Sequence, residues 1–189
     1  MHRIDLLVGL GNPGSAYAKT RHNVGFCLLD HYVAGKGSSW TLDSRCDGLV
    51  TSFVFGDRKI FCLEPQTFMN LSGKSVQKFC SYYKIEPENV LVVCDDISIP
   101  FCAFKVSTIA GTAGHNGVKN VALLLGEGFV RYRVGIGDKP KYMRLDDYVL
   151  GQFSEDEWVQ IPSIASTFEK NIEVLIDKGV EKGLNFIKR

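Results

Sequence analysis

The chain of 189 residues is 45% hydrophobic and 23% charged, which suits one globular domain with a full core. No apolar run approaches the roughly 20 residues of a membrane span, which predicts a cytoplasmic protein without a membrane partner. The net charge is only +1, and six cysteines without Cys-x-x-Cys spacing favour reduced thiols over disulfides or a zinc site.

Hydrophobic periodicity along the chain predicts strands that alternate with helices. The predicted strands are 4–10, 48–56, 58–63, 90–94, 101–107 and 131–136, and the predicted helices are 24–34, 73–84, 116–125 and several within 155–188. This order predicts an α/β fold, a single three-layer αβα domain over residues 1–189 with a mixed, largely parallel central sheet. The C-terminal helices, 155–188, are expected to pack on the edge of that domain.

The stretch from Gly9 to Gly25 joins the first predicted strand to the first predicted helix and places a histidine next to the N-terminus of that helix. Loops at this position often carry the sites of α/β proteins. Asn23 is expected to cap the helix, and His22 lies directly before it. A neutral histidine can accept a proton, so His22 is a candidate general base.

The same stretch contains Gly9-x-Gly11-x-x-Gly14, the spelling of a dinucleotide-binding fingerprint. That fingerprint needs its third glycine inside a helix that begins at once, and an acid at the end of a second strand about 20 residues later. Here Pro13-Gly14-Ser15 has turn composition, and the acid at roughly that distance, Asp30, falls inside the helical pattern. Nucleotide binding is therefore kept only as an alternative hypothesis.

Polar side chains also follow several of the later predicted elements. Asp95-Asp96 end a strand, Asn70 lies between a strand and a helix, and Asn116 opens a helix. With Asn12, these amides would surround one histidine and one carboxylate in a cleft at the strand ends. Each also has a structural explanation, since Asn70 and Asn116 could be helix caps and either aspartate a turn residue.

Positive charge is concentrated between residues 101 and 144. Seven basic residues there oppose two acids, Glu127 and Asp138, so the segment carries +5 and the rest of the chain −4. Clustered Lys and Arg are typical of a polyanion site, because they contact phosphates. An ordinary solvated surface would show the same composition.

Several common catalytic motifs are absent from the sequence. It has no Gly-x-Ser-x-Gly elbow, no His-Glu-x-x-His helix and no Gly-x-x-x-x-Gly-Lys-Ser/Thr phosphate loop, which argues against the usual serine esterases, metallohydrolases and nucleotidases. What remains is one histidine that activates water, a carboxylate that orients its ring, and amides that can bind an oxyanion. We interpret His115 as a structural hydrogen-bonding residue.

Six blocks of sequence, in order within residues 4–153, resemble the bacterial-type peptidyl-tRNA hydrolase family. They are Gly-Leu-Gly-Asn-Pro-Gly-x-x-Tyr-x-x-Thr-Arg-His-Asn-x-Gly (9–25), Pro-x-Thr-Phe-Met-Asn-Leu-Ser-Gly (65–73), Asp-Asp-Ile (95–97), Gly-His-Asn-Gly (114–117), Arg-x-Arg-Val-Gly-Ile-Gly (131–137) and Asp-Tyr-Val-Leu-Gly-x-Phe (147–153). The resemblance implies hydrolysis of the ester between a peptide, or an N-blocked amino acid, and the 3′ ribose of tRNA. It implies a monomer that needs no metal or cofactor and whose partner is the acceptor stem and 3′ end of peptidyl-tRNA.

The resemblance also implies roles for individual residues. His22 corresponds to the catalytic base, Asp95 to the acid that orients it, and Asn12 to an amide of the catalytic site. The residues implied to bind substrate are Tyr17, Asn23, Phe68, Met69, Asn70 and Asn116. Side chains such as Phe68 and Met69 are more often part of a core. Lys105 and Arg133 correspond to residues that hold tRNA phosphate.

The chain departs from the family pattern at several positions. Ser98 and Ser107 stand where an acid and a second basic residue are usual, a glycine is usual near Cys102-Ala103, and the loop 109–113 has lost glycines. These changes bear on tRNA binding and leave His22 in place. The alternatives are a non-hydrolytic, RNA-associated relative of the same fold and, as above, a nucleotide-binding protein.

Overall fold

A seven-stranded sheet forms the centre of the computed structural model, which describes residues 3–108 and 111–187. Its strands run in the order β2-β3-β4-β1-β5-β7-β6. They are β1 (Leu6–Gly9), β2 (Thr41–Asp43), β3 (Gly48–Phe55), β4 (Arg58–Pro65), β5 (Val90–Asp96), β6 (Phe104–Ser107) and β7 (Val130–Gly135). Strands β4, β1, β5 and β7 are parallel to one another. Strands β2 and β3 extend the sheet beyond β4, and β6 extends it beyond β7, in antiparallel pairs.

Helices cover both faces of this sheet. Within the described residues they are α1 (Val24–Gly35), α2 (Ser72–Tyr83), α3 (Asn116–Leu125), α4 (Leu145–Val149), α5 (Glu155–Trp158), α6 (Ile161–Lys178) and α7 (Val180–Gly183). One apolar layer lies between the sheet and helices α1 and α6, and a second lies between the sheet and helices α2 and α3. Strand β5 is buried along its whole length, as expected for a parallel strand covered on both faces. The predicted three-layer α/β fold is therefore confirmed.

The elements differ from the predicted ones for local reasons. The strand predicted over 101–107 begins only at Phe104, because Cys102 takes a left-handed conformation, with φ of 68°, in the turn before it. The predicted C-terminal helical segment is interrupted at residues 159–160, between α5 and α6. Pro162, in the first turn of α6, has no amide N–H and so cannot make the backbone hydrogen bond that a continuous helix would need. Residue 188, the end of that predicted segment, lies outside the described residues.

Helix α6, which belongs to that C-terminal segment, lies on the same face of the sheet as α1. Its Phe168 is fully buried, with its ring 5.0 Å from the Tyr132 ring on β7 and 6.1 Å from the Tyr32 ring on α1. This packing makes α6 part of the core. No helix among the described residues combines the length and apolar character needed to cross a membrane.

Helix α1 approaches the strand ends unusually closely through Gly25. A Cβ atom at Gly25 would lie 2.5 Å from the carbonyl oxygen of Val93 and 2.6 Å from that of Leu10. Because only glycine permits this approach, the start of α1 lies against the carboxyl ends of β1 and β5. The short 3₁₀ turn Arg21–Asn23 directly before α1 is thereby held at the edge of the sheet where α/β proteins place their sites.

Candidate active site

A buried hydrogen-bonded cluster lies at this edge, made by His22, Asp95 and His115. Nδ1 of His22 lies 2.8 Å from Oδ1 of Asp95, and Nε2 of His115 lies 3.0 Å from the same oxygen. The two imidazole rings are 4.8 Å apart. The sequence-based expectation that one carboxylate orients His22 is met by Asp95, and His115 is a second donor to that carboxylate.

The proton on each ring follows from these partners. The amide N–H of Val118 donates to Nδ1 of His115 at 3.2 Å, so in the neutral ring the proton is on Nε2 and points to Asp95. His22 likewise donates through Nδ1, which leaves its Nε2 as the acceptor. An imidazole held in this tautomer can take a proton from water.

The carboxylate of Asp95 is kept ionised by its neighbours. Burial alone would raise its pKa, since the residue is only 4% exposed. The N–H donors of His115 and His22, and the positive charge of either ring when it is protonated, outweigh burial, so the pKa of Asp95 lies well below its usual range. The ionised Asp95 stabilises the imidazolium that forms when His22 accepts a proton.

The same three side chains have the residue types of a metal site, with their ligand atoms within 4.8 Å of one another. Binding a metal through Nε2 of His115 would require moving its proton to Nδ1, where it would meet the Val118 N–H. The hydrogen-bond pattern therefore fits a proton-handling cluster better than a metal site.

Asn12 and Asn23 hold each other and the neighbouring loop. Asn23 accepts from the Asn12 amide at 3.0 Å through Oδ1 and donates to the Asn12 carbonyl at 2.9 Å through Nδ2. Asn23 occupies the N-cap position of α1, as predicted, but its side chain makes these bonds instead of a capping hydrogen bond. Oδ1 of Asn12 accepts from the amide of Met69 at 2.8 Å, which leaves the Asn12 NH₂ group as the donor available at the site.

Neither Asn70 nor Asn116 is a helix cap. Asn70 is exposed in the 3₁₀ turn Met69–Leu71, and the start of α2 is bonded by the Asn120 side chain, which accepts from the Gly73 amide at 2.8 Å. Asn116 is exposed at the first position of α3, and the cap there is His115. Asn116 lines a cavity beside His22 and Asp95, whereas Asn70 is not among the described residues that line it.

Of the three apolar or aromatic side chains predicted to contact substrate, one is buried, one is half-buried and one is exposed. Met69 is only 4% exposed, and a Cβ atom at Gly117 would lie 2.5 Å from its Sδ, so Met69 packs against the start of α3. Phe68 is 56% exposed, with its ring edge-on to the half-buried Tyr17 ring at 6.5 Å. The expectation that Phe68 is a core residue is therefore wrong, and Phe68 with Tyr17 forms an apolar surface beside Asn12.

Helix α4 supplies a wall of the cavity that sequence reasoning missed. Leu145, Asp146 and Val149 line the cavity together with His22, Asp95, His115 and Asn116. The block 147–153 resembles the family, but its sequence carries no chemical signal that would place α4 beside His22.

The loop between β1 and α1 does not have the geometry of a dinucleotide-binding fingerprint. A short 3₁₀ turn, Ser15–Tyr17, follows Gly14, and α1 begins only at Val24.

A second polar region lies on strands β6 and β7, and we call Lys105, Ser107, Arg131 and Arg133 the basic face. The pairs Lys105–Arg133 and Ser107–Arg131 lie opposite each other across the antiparallel strands, so all four side chains leave the same face. Arg133 donates from Nη1 to Oδ2 of the buried Asp96 at 2.9 Å. Lys105 is exposed and has no ion-pair partner among the described residues.

Asp96 and Ser98 complete the support of Arg133. Both the amide and the hydroxyl of Ser98 donate to Oδ1 of Asp96, at 2.8 Å and 2.6 Å. Adjacent strand residues point to opposite faces, so Asp95 meets the histidines while Asp96 meets Arg133. Of the loop predicted to have lost glycines, Ile109 and Ala110 lie outside the described residues.

Comparison with known proteins identifies the family of the chain. The chain matches the family model described as peptidyl-tRNA hydrolase over residues 6–189. Peptidyl-tRNA hydrolases of Chloroflexus aurantiacus and Clostridium acetobutylicum are 37% and 39% identical over 182 residues, 95% of this chain and 96% and 95% of those proteins. A crystal structure of peptidyl-tRNA hydrolase from Acinetobacter baumannii has a TM-score of 0.92 at 32% identity, covering 99% of this chain and 95% of that one. The chain therefore belongs to the peptidyl-tRNA hydrolase family, as the six blocks of its sequence suggested.

Proposed function

We propose that this protein hydrolyses the ester between a peptide, or an N-blocked amino acid, and the 3′ ribose of tRNA, and so frees tRNA for reuse in translation. The observation that carries the proposal is the hydrogen bond of 2.8 Å between His22 and Asp95, in a chain of this family. His22 is the general base and Asp95 the group that orients it. An activated ester of this kind needs a base and an oxyanion donor but little help for the leaving group.

The residues of the cluster divide the reaction between them. Nε2 of His22 takes a proton from water while the water oxygen bonds to the ester carbonyl carbon, and the carbonyl oxygen becomes an oxyanion. The NH₂ groups of Asn12 and Asn116 are the donors available to that oxyanion. As the intermediate collapses, the ester C–O bond breaks and the imidazolium of His22 returns the proton to the 3′ oxygen of tRNA.

The two ends of the substrate bind on either side of this cluster. The peptide contacts the apolar surface of Tyr17 and Phe68, above the buried Met69. Two further residues act at the peptide end of the substrate. Asn23 supports Asn12 by a hydrogen bond, and Asn70 offers its exposed side-chain amide to the substrate.

The tRNA phosphate side of the substrate meets the basic face. Lys105 is free to bind phosphate, and Arg133 offers the N–H groups that Asp96 does not use. The pKa of the Arg131 guanidinium is lowered from its usual value by burial and by Arg133 beside it, so an anion on this face would relieve repulsion between the two arginines.

The remaining properties follow the same proposal. The protein acts in the cytoplasm as a monomer formed by one domain over residues 1–189, with peptidyl-tRNA as its partner. The chemistry assigned to His22 uses only protons and amides, so it proceeds without a metal or other cofactor.

An assay of ester cleavage tests the proposal directly. Purified protein is incubated in EDTA with N-acetyl-aminoacyl-tRNA that is labelled in its amino acid. Cleavage of the ester is followed as the loss of label that acid precipitates together with tRNA. We expect turnover in EDTA equal to that without it. A protein that binds tRNA but releases none would be the non-hydrolytic relative, and saturable binding of a nicotinamide dinucleotide would support the nucleotide-binding alternative instead.

A further inference from the structure

Arg21 precedes His22 in the chain and bonds to a distant segment of the fold. Its amide N–H donates to the carbonyl of Gly151 at 3.0 Å, and its neighbour Thr20 forms an isolated antiparallel bridge with Gln152. The amide of Phe153 completes the pairing by donating to the carbonyl of Lys19 at 3.1 Å. The turn that carries His22 is therefore joined to the link between α4 and α5.

The Arg21 guanidinium reinforces this junction through both of its terminal nitrogens and through its contacts with two aromatic rings. Nη1 donates to the Gln152 carbonyl at 2.8 Å, and Nη2 donates to Oε2 of Glu157 at 2.7 Å. Its central carbon lies 4.4 Å from the Tyr148 ring centroid and 5.6 Å from that of Phe153. The side chain is only 13% exposed, so these contacts are shielded from solvent and from salt screening.

The groups that Arg21 holds are themselves fixed. The amide of Ser154 donates to Oε2 of Glu157 at 2.8 Å, as part of the capping box that starts α5. The hydroxyl of Tyr148, on α4, donates to the Ile136 carbonyl at 2.7 Å, directly after β7. Arg21 thus fastens the His22 turn to α4 on one side and to α5 on the other.

Helix α4 also forms the wall of the catalytic cavity through Leu145 and Val149. We propose that Arg21 is a positioning residue that sets the distance between this wall and His22. The proposal rests on the proposed function, in which His22 acts on a substrate bound in the cavity. Catalysis of this kind is sensitive to displacements of about 1 Å, which can cost roughly 100-fold in rate.

Lysine cannot replace arginine in this role. Its single ammonium group could pair with Glu157, but it has no planar fork to bond Gln152 at the same time, and it stacks poorly on the Tyr148 ring. Arg21→Lys therefore separates the positive charge from the geometry. Glu157→Gln, which keeps the size of the side chain, weakens one contact of the fork and leaves Arg21 in place.

Kinetics on N-acetyl-aminoacyl-tRNA test the role of Arg21. We expect kcat to fall about 10-fold or more in Arg21→Ala, by more than KM rises, with intermediate losses in Arg21→Lys and smaller ones in Glu157→Gln. The matched control is Arg58→Ala, since Arg58 is also half-buried and bonds two carbonyls, of Ile4 and Ile176, and a carboxylate, but far from His22. Its kcat should equal that of the wild type even if its Tm falls.

The outcomes separate this proposal from the proposed function. Wild-type kcat in folded Arg21→Ala or Arg21→Lys, in the same assay where His22→Ala is inactive, would overturn the positioning role alone. Activity retained by His22→Ala would instead contradict the assignment of the base. If Arg21→Ala does not fold, Glu157→Gln and Arg21→Lys still give the answer.

A fluorescence measurement detects the junction itself. The chain has two tryptophans, and Trp158 at the end of α5 packs 6.2 Å from the Phe153 ring. In a Trp40→Phe background, Trp158 alone reports on the link. We expect Arg21→Ala to increase acrylamide quenching of Trp158 and Arg58→Ala to leave it unchanged. Equal quenching in Arg21→Ala and the parent would mean that the link stays in place without Arg21 and would overturn the proposal.

Discussion

The catalytic cluster and the basic face differ in how far the protein satisfies its own polar groups. In the cluster, Asp95 accepts two N–H donors and His115 is fixed from behind by Val118. On the basic face, the Arg133 Nε and Ser107 Oγ atoms are buried without a hydrogen-bond partner among the described residues. The Asp95 carboxylate therefore has its donors within the protein, whereas the basic face has hydrogen-bonding capacity left over.

This difference indicates how each region works. A catalytic group must already have its orientation and protonation state when substrate arrives, so its partners belong to the protein. A surface that binds a polyanion keeps donors and positive charge unpaired until the ligand completes them. Changes in the cluster should therefore affect turnover, and changes on the basic face should affect binding and its dependence on salt.

The largest effect is expected for His22→Ala. General base catalysis contributes roughly 10²–10⁴-fold, so kcat should fall within that range. Asp95 keeps the His115 donor, so the variant should stay folded, at a cost of about 1–3 kcal/mol in the free energy of unfolding. Single-turnover assays beside circular dichroism check both expectations. Near-wild-type turnover by the folded variant would show that the base has been misassigned.

Asp95→Asn should reduce kcat by less than His22→Ala does. The amide oxygen can still accept from His22 and His115, but a neutral group stabilises imidazolium poorly. A loss of activity larger than that of His22→Ala would point to Asp95 as the base.

Glu64 tests whether a buried group without a partner must be a binding site. Its Oε1 has no hydrogen-bond partner among the described residues, and the residue is only 3% exposed on β4. Burial, with a smaller contribution from the charge of Asp30, raises the pKa of Glu64 to about 9. It lies inside the fold, closed to a polyanion, so its unmet bond should lower stability rather than bind ligand.

The sign of the effect follows from proton linkage. Between the ordinary carboxyl value near 4.5 and about 9, the folded protein keeps a proton that the unfolded chain releases. The free energy of unfolding should therefore fall as pH rises through this window, by at most about 1.4 kcal/mol per pH unit. Glu64→Gln should remove that slope in urea titrations at pH 6, 7.5 and 9. An unchanged slope would mean that Glu64 is ionised in the folded protein.

Lys105→Ala should raise KM for tRNA esters and leave kcat at saturation almost unchanged. The salt dependence of binding should flatten by roughly one phosphate contact. Lys105 is a cleaner probe than Arg133, whose loss would leave the buried Asp96 without its ion pair. Lys59→Ala, at an exposed lysine on β4 on the other side of the sheet, is the matched control. An equal loss on a short nucleoside ester without the tRNA phosphates would contradict this division.

The smallest effect is expected for Ser107→Lys. Ser107 lies two residues from Lys105 on β6 and opposite Arg131, so a lysine there joins the same face. It should tighten binding of uncharged tRNA by on the order of 1 kcal/mol at low salt, and less at physiological ionic strength. Dissociation constants at two salt concentrations measure this. Unchanged or weaker binding at low salt would mean that the new cation only repels Arg131.

Local sequence pattern was a good guide wherever local forces decide the structure. The helix predicted over 116–125 has those bounds in α3, and the hairpin of β3 and β4 lies at its predicted place. Periodicity of apolar residues reflects which face is buried, and that is a property of each segment alone. Helix caps were less predictable, because they also depend on residues outside the helix: the Asn23 side chain bonds Asn12 instead of capping α1, and the His115 side chain both caps α3 and bonds Asp95.

The active site likewise could be predicted only as far as its residue types and local sequence allowed. Residue types and the six blocks were sufficient to place a base, a carboxylate and amides at the ends of parallel strands and to indicate the family. They assigned His115 only a structural role and assigned α4 and Arg21 none. His115 bonds Asp95 across 20 residues of the chain, and Arg21 bonds Glu157 across 136.

Residue identity and spacing were therefore enough to establish the fold class, the family and the chemistry available to His22 and Asp95, because these depend on local periodicity and on the properties of single side chains. The tertiary structure alone decided that His115 shares the Asp95 oxygen that meets His22, that Asp96 meets Arg133, and that Arg21 bonds the segment directly after α4. The physical reason is that these features depend on groups that only folding brings to within about 3 Å of each other. Such groups decide which face of the sheet a strand residue points to, which tautomer an imidazole adopts and which partner a guanidinium bonds.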